Sequence, residues 1–190
     1  MLGIDIARPL TLVEIRQLKA QGVGFVARYY STPGNPKDLT HQEALAISRE
    51  GLAIVSVFET TPTNAAYFTA AQGAQDGKLA IACTQISGQR GATIFAAVDY
   101  DAQAHDLPAI RQYLAAFAMQ ISPHFEAGVY GSHILASLGR PLWQAMAWSG
   151  GVVAAEARIV QALSNVRIAG VGPLDVDIAL QPLHALGWRF

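Results

Sequence analysis

Cysteine is nearly absent from this sequence, because Cys83 is the only one. A single thiol excludes an internal disulfide and any zinc site built from cysteines. Charged side chains are also few, at 14% of the residues, and the 13 lysines and arginines form no cluster. The formal net charge of −1 therefore gives no indication of a nucleic acid or an anionic membrane as a partner.

Two kinds of targeting segment are missing as well. No window of 18 residues is apolar and free of charge, so we expect no membrane span. The first residues, MLGIDIARP, contain no basic segment followed by a long apolar stretch, so we expect no classical secretory signal. The corresponding expectation is a cytoplasmic protein, unless it is released or exported by a non-classical route.

Short apolar runs alternate along the chain with longer amphipathic ones. The short runs predict strands at 2–7, 24–30, 52–59, 93–101, 126–132, 142–150, 157–163 and 174–180. T-x-x-E capping boxes at Thr11 and Thr40 begin two of the helices between them, and Gly73 and Gly77 are expected to divide a third helical region into two short helices. Eight alternating strands predict an α/β fold, a compact (β/α)₈ TIM-like barrel.

The length of the chain restricts this architecture. Barrels of this type usually need ~250 residues, so the last crossovers of a 190-residue chain must be shortened to loops. An open, doubly wound, flavodoxin-like sheet is the alternative fold. We see no internal repeat or interdomain linker, and therefore expect residues 1–190 to form a single domain.

Polar or aromatic side chains stand near the carboxyl end of most predicted strands, which is where such barrels have their active sites. They are Asp5, Arg28, Tyr30, Glu59, Asp99, Asp101, Tyr130, Gln144, Trp148, Gln161, Asp175 and Asp177. Taken singly, each has an ordinary explanation, such as a turn cap, a core aromatic or a buried Asp5–Arg28 ion pair. Taken together, they predict one polar mouth.

Carboxylates beside aromatic rings suit a carbohydrate, whose C–H face stacks on a ring while its hydroxyls donate to the acids. Two carboxyl groups are also the usual equipment for glycoside hydrolysis, one as acid and the other as base or nucleophile. We expect Asp99 and Asp101 to share one face of their strand, so that repulsion and burial keep one of them protonated.

Other chemistries have less support. No glycine-rich nucleotide motif is present, and the five histidines are dispersed. We therefore expect no cofactor. A carboxylate-bound Mg²⁺ or Ca²⁺ among Asp99, Asp101, Asp175 and Asp177 stays open as an alternative.

The strand motifs GIDIA, GFVARYY, GLAIVSVFE, TIFAAVDYD, AGVYGS, LWQAMAWSG, IVQAL and LDVDIAL occur in an order that resembles the bacterial glycoside hydrolase-like TIM-barrel domain family. That family is itself similar to the family 25 lysozymes, which are muramidases. The resemblance covers nearly the whole chain and implies a barrel that acts on a cell-wall glycan.

The resemblance also implies roles for individual residues. Asp5, Asp99, Asp101 and Asp175 match the acids of the muramidase site, and Asp101 takes the place of the proton donor. Asp101 stands where the lysozymes have a glutamate, and Ala162 stands where an aromatic usually follows the seventh-strand glutamine.

The leading hypothesis is a lysozyme-like glycosidase that hydrolyses peptidoglycan. Its proposed catalytic residues are Asp101, Asp99, Asp5 and Asp175. Its proposed substrate-binding residues are Arg28, Tyr30, Glu59, Tyr130, Gln144, Trp148, Gln161 and Asp177. The alternatives are a catalytically degenerate glycan-binding module and a barrel enzyme of another class that holds a metal with carboxylates. The oligomeric state is left open.

Overall fold

The computed structural model describes residues 1–190, and its eight strands close into one barrel in sequence order. The strands are β1 (Leu2–Asp5), β2 (Phe25–Tyr30), β3 (Ala53–Phe58), β4 (Thr93–Ala97), β5 (Glu126–Gly131), β6 (Leu142–Ala145), β7 (Ala157–Ile168) and β8 (Val171–Ala179). The α/β barrel expected from the sequence is therefore confirmed.

Helices fill only the first half of the outer layer. They are α1 (Leu12–Ala20), α2 (His41–Arg49), α3 (Ala70–Ser87) and α4 (Leu107–Ile121), each of which follows one of the first four strands. Short 3₁₀ turns at His133–Leu138 and Met146–Trp148 follow β5 and β6. The shortened last crossovers are how 190 residues complete the ring. No helix combines the length and apolar character that a bilayer crossing requires.

The helix starts follow the capping signals, with one difference. Thr11 caps α1 in a complete capping box with Glu14. Thr40 caps α2 by accepting a hydrogen bond from the Glu43 N–H, but the Glu43 carboxylate pairs instead with Arg28. The second box is incomplete because a buried cation attracts a carboxylate more strongly than a backbone N–H does.

The prediction of two short helices in the region of α3 is wrong, because Ala70–Ser87 is one continuous helix. Its glycines serve helix packing. A Cβ on Gly73 would lie 2.2 Å from the Tyr113 carbonyl oxygen of α4, and a Cβ on Gly77 would lie 2.6 Å from the Gln120 Cβ. Both positions allow α3 and α4 to approach closely.

The last strand departs from an all-parallel barrel. β8 pairs antiparallel with both β7 and β1. A two-residue turn connects it to β7, and both turn residues, Ala169 and Gly170, have positive φ, as a tight hairpin requires. Asp175 therefore enters the mouth from the amino half of β8, opposite Asp5, while Asp177 lies one step deeper, opposite Gly3.

The lower part of the lumen is an apolar core. Phe25, Val55, Phe95 and Trp143 belong to one buried cluster inside the ring, which Leu183 and Leu186 of the carboxyl-terminal tail join from below. The Trp188 indole N–H donates to Ser56 Oγ at 3.0 Å and ties the tail to β3. With the amino end closed in this way, only the carboxyl end of the barrel is available for a polar site.

Candidate active site

Asp5 is the last residue of β1 and faces the lumen, where it is 2% exposed. The Tyr29 hydroxyl donates to Asp5 Oδ1 at 2.7 Å, and Gln161 Nε2 donates to Asp5 Oδ2 at 2.8 Å. Burial, followed by the charge of Asp175, raises the Asp5 pKa to about 6, while the two donors act in the opposite direction. Asp5 therefore titrates near neutral pH.

Gln161 of β7 connects the acids of neighbouring strands. Its Nε2 also donates to Asp175 Oδ2 at 3.2 Å, and its Oε1 accepts a hydrogen bond from the Tyr130 hydroxyl at 2.9 Å. The Asn165 backbone N–H donates to Asp175 Oδ1 at 2.7 Å. One amide of β7 thus fixes two carboxyl groups and a phenol from three other strands in a common orientation.

Asp177 lies beneath this layer and is fully buried. The Trp143 indole N–H donates to its Oδ1 at 2.9 Å. The ring centroids of Tyr130 and Trp143 are 5.1 Å apart, and those of Tyr130 and Trp148 are 6.5 Å apart. Trp148 is partly buried in the 3₁₀ turn after β6. The rings of Trp143, Tyr130 and Trp148 therefore form a continuous series from the buried Asp177 to the turn after β6.

Glu59 and Asp99 extend the acidic layer past the ends of β3 and β4. Lys37, from the loop before α2, places its Nζ 2.8 Å from Glu59 Oε1 and 5.1 Å from the centroid of the Tyr29 ring. Burial and the Glu59 charge raise the pKa of the half-buried Asp99, and Lys37 partly offsets this rise. The carboxylate that repels Asp99 is therefore Glu59, and the expected role of Asp101 in that repulsion is wrong.

Asp101 occupies a different setting from Asp99. β4 ends at Ala97, so neither acid continues the strand. The Asp101 side chain is exposed and makes no hydrogen bond or ion pair, and only its backbone carbonyl accepts a bond, from Gln103 Nε2. It lies in the loop after β4, outside the network that holds the other acids.

Arg28 and Tyr30 point away from the lumen, which corrects their predicted place in the site. Arg28 is fully buried behind the strand, where it pairs with Glu43 at 2.8 Å and donates to the Ile6 carbonyl at 2.6 Å. The Tyr30 hydroxyl donates to Gln89 Oε1. The reason is strand alternation, since the positions of β2 that face inward include Ala27 and Tyr29.

Gln144 is corrected for the same reason, because Trp143 and Ala145 are the lumen positions of β6. Its side-chain amide donates to the Val152 carbonyl at 2.6 Å and accepts from the Ala154 N–H at 2.9 Å. Gln144 thus supports the loop beside the mouth instead of lining it.

Sequence reasoning missed four residues of this region, namely Tyr29, Lys37, Trp143 and Asn165. The two aromatics could have been found by testing the other phase of their strands. Lys37 and Asn165 had no signal, because one lies in a loop and the other in the extension of β7 that the sequence did not predict.

A small cavity of about 160 Å³ opens beside the acids. It is lined by Asp5, Ala7, Tyr29, Asn165, Pro173, Leu174 and Asp175. A larger depression of about 430 Å³, with Arg90 and His124, lies near the starts of β4 and β5, far from this chemistry. No group of three or more His, Cys, Asp or Glu side chains is arranged to hold a metal ion.

Comparison with solved structures shows the same fold. The Mycobacterium tuberculosis Tat-secreted protein Rv2525c is 24% identical, with 99% of this chain and 98% of that chain covered and a TM-score of 0.83. A family 25 glycosyl hydrolase from Bacillus anthracis is 10% identical, with 96% and 89% covered and a TM-score of 0.64. The modular autolysin LytC from Streptococcus pneumoniae, solved with a synthetic peptidoglycan ligand, is 13% identical, with 93% and 46% covered and a TM-score of 0.64.

The similarity to a Tat-secreted protein contradicts the expectation of a cytoplasmic location. That expectation depended on the amino-terminal residues alone. No curated protein matches the sequence.

The family comparison agrees with the resemblance that the order of the strand motifs indicates. The model of the Rv2525c-like, glycoside hydrolase-like domain matches residues 16–175. The chain belongs to this glycoside hydrolase-like family.

Proposed function

We propose that this protein binds a cell-wall glycan, namely peptidoglycan, at the carboxyl end of the barrel and hydrolyses a glycosidic bond there. The observation that carries the proposal is the gathering of four acids, in or just after four different strands, around one opening: Asp5, Glu59, Asp99 and Asp175. Carboxyl groups on opposite sides of a sugar ring are what glycoside hydrolysis requires.

The surroundings of the acids suit a sugar. The rings of Tyr29, Tyr130 and Trp148 offer apolar faces near the carboxyl groups. The cavity of about 160 Å³ is smaller than a typical ligand pocket of ~300–1,000 Å³. It therefore suits part of one sugar, while the rest of a polymer would extend along the rim.

The acids fall into two groups, according to whether hydrogen bonds from the protein fix the carboxyl group. Asp5 and Asp175 are held by hydrogen bonds and suit the stabilisation of positive charge that develops on the sugar. Asp101, which matches the proton donor of the related muramidases, is exposed in the loop after β4 and can contact a leaving oxygen. Asp99 is a second acid beyond β4, and burial and the Glu59 charge raise its pKa.

A second candidate function is glycan binding without cleavage. Its support is the setting of Asp101, whose carboxyl group is one methylene shorter than glutamate and is held by no hydrogen bond. A displacement of a catalytic group by ~1 Å can cost ~100-fold in rate. A binding site would keep the held acids and the aromatics and would not need Asp101.

The decisive experiment measures both binding to purified peptidoglycan and the release of soluble saccharides. We expect Asp101→Asn to lower the rate of release by roughly 100-fold or more, as loss of a general acid does. Asp99→Asn tests the neighbouring acid, and Glu50→Gln, in a surface ion pair with Arg16, is the matched control. Release by Asp101→Asn at the wild-type rate would remove Asp101 from the mechanism. Binding by the wild type with no release would establish the second candidate.

We also propose that the protein acts outside the cytoplasm. Peptidoglycan lies beyond the cytoplasmic membrane, and the structurally similar Rv2525c is Tat-secreted. Fractionation of producing cells, with the protein detected by antibody, tests this location.

A further inference from the structure

Asp177 is the acid whose surroundings are hardest to reconcile with a negative charge. It stands on β8 between Gly3 of β1 and Gln161 of β7, and none of its surface is exposed. Trp143 donates to its Oδ1 at 2.9 Å. Its Oδ2 is buried and receives no hydrogen bond from any donor of the chain.

The groups that face Asp177 offer no compensating charge. Asp5 and Asp175 are its acidic neighbours on the paired strands β1 and β8, and the Tyr130 phenol is a further neighbour. No Lys, Arg or His side chain forms an ion pair with Asp5, Asp175 or Asp177. Lys37, the cation of the mouth, is paired with Glu59.

Two ionised carboxylates in this position would each present an acceptor to the other. A buried charge without a partner is strongly unfavourable, and two such charges in contact are more so. One proton between them removes a charge and turns the contact into a hydrogen bond. The unpartnered Oδ2 of Asp177 is the atom that can carry this proton while Oδ1 continues to accept from Trp143.

The hydrogen bonds show which carboxyl group keeps the proton. Asp5 accepts from the Tyr29 hydroxyl and from Gln161 Nε2, and both donors stabilise its anion. Asp177 has one donor only. In agreement, burial followed by the charge of Asp5 raises the Asp177 pKa well above its ordinary value.

We propose that Asp177 is a positioning residue that stays protonated at neutral pH and donates a hydrogen bond to Asp5, so that the pair carries one negative charge and holds it on Asp5. The Asp5 carboxylate then has three donors that fix its orientation toward the cavity. The proton on Asp177 is inferred from its complete burial, its unpartnered Oδ2 and the absence of a paired cation. Its consequence for glycan chemistry, the stabilisation of positive charge on the sugar, rests on the function proposed above.

Carbon-13 NMR of the aspartate side-chain carboxyl groups tests the proton directly in the wild-type protein. We expect one carboxyl resonance to remain in its protonated position at pH 7, while that of Asp5 titrates near pH 6. Asp177→Asn should remove the protonated resonance. Ionisation of every aspartate by pH 7, or persistence of the protonated resonance in Asp177→Asn, would overturn the proposal.

Unfolding equilibria give a second measurement. Asparagine can accept from Trp143 and donate to Asp5, as the protonated acid does, but it binds no proton. Above pH ~4 the wild type should lose stability as the pH rises, because only its folded state keeps the Asp177 proton. We therefore expect the ratio of the folding constant of Asp177→Asn to that of wild type to rise by up to about tenfold per pH unit, until Asp177 ionises in the folded protein. Parallel pH profiles for the two proteins would contradict a proton on Asp177.

Binding of soluble peptidoglycan fragments separates this inference from the proposed function. We expect Asp177→Ala to weaken binding at pH 7 by at least tenfold and Asp177→Asn to recover part of that loss. Equal losses in the two variants would show that the donor to Asp5 has no role in binding. If the wild type binds no fragment, the proposed function fails while the NMR result still decides the state of Asp177.

Discussion

At the scale of single residues, the site depends on how many donors each buried acid has. Asp5 has the Tyr29 hydroxyl and the Gln161 amide, yet burial still raises its pKa to about 6. Burial and the Asp5 charge also raise the pKa of Tyr29 well above its ordinary value, so its hydroxyl stays protonated and continues to donate. The charge on Asp5 is therefore sensitive to any change in these donors.

Tyr29→Phe should raise the Asp5 pKa above 6, because the variant removes a hydrogen bond that favours the ionised form. We expect a rise of roughly one pKa unit, equivalent to ~1.4 kcal/mol. Carbon-13 NMR titration of the Asp5 carboxyl group measures it. Tyr30→Phe is the matched control, since its hydroxyl bonds to Gln89 on the outer side of the same strand. A similar rise in both variants would show that the Tyr29–Asp5 bond is not responsible.

At the scale of elements, the two halves of the barrel are built differently. α3 and α4 cover the first half through a close contact at Gly73 and Gly77, whereas the second half has short turns and the long β7–β8 hairpin. The hairpin extends past Gln161 and contributes Asn165 and Pro173 to the wall of the cavity. One side of the mouth is therefore a pair of strands where a parallel barrel would have loops and helices.

Gly73→Ala should destabilise the protein although alanine favours helices by about 1 kcal/mol over glycine. The added Cβ would lie 2.2 Å from a backbone oxygen of α4, so the two helices must separate. We expect a net loss of roughly 2 kcal/mol, within the range of overpacked cores. Urea unfolding measures it, with Gln75→Ala on the exposed face of α3 as the control. A stability equal to or above wild type would show that α3 and α4 can separate at this contact at little cost in free energy.

At the scale of the whole molecule, alternation of apolar runs was sufficient to predict the closed barrel, because strand and helix lengths recur along the chain. The same pattern could not give the direction of β8, since side chains alternate with a period of two in parallel and antiparallel strands alike. It also gave the wrong lumen phase for β2 and β6, because the polar Arg28 and Gln144 lie on the outer faces of those strands and the lumen faces are apolar or aromatic. Asp5, Glu59, Asp99, Tyr130, Gln161 and Asp175 are nevertheless gathered at the mouth.

The burial of Asp5 should appear in the pH dependence of global stability. Its folded pKa of about 6 lies above its ordinary value of 3.8, so the folded protein holds this proton more tightly than the unfolded chain. Asp5 alone should therefore lower stability by roughly 3 kcal/mol as the pH rises from about 4 to 6.

Thermal or urea unfolding of wild type and Asp5→Asn at pH 4 and pH 7 tests this expectation. We expect the decrease between the two values to be smaller in Asp5→Asn than in wild type by the Asp5 contribution, whatever the stability of the variant at pH 4. Glu14→Gln provides a contrasting control, because its ion pair with Arg8 lowers the Glu14 pKa to about 2 and stabilises the protein toward neutral pH. An equal decrease in wild type and Asp5→Asn would assign the effect to other groups.

Closure of the barrel by the last strand, β8, also has a consequence for synthesis on the ribosome. β1 is translated first but has β8 as its second neighbour, so one edge of β1 stays unpaired until almost the entire chain has been made. Contacts between such distant segments form slowly, and an open strand edge can pair with other chains in the meantime. A nascent or truncated chain that ends before residue 171 should therefore be prone to aggregation.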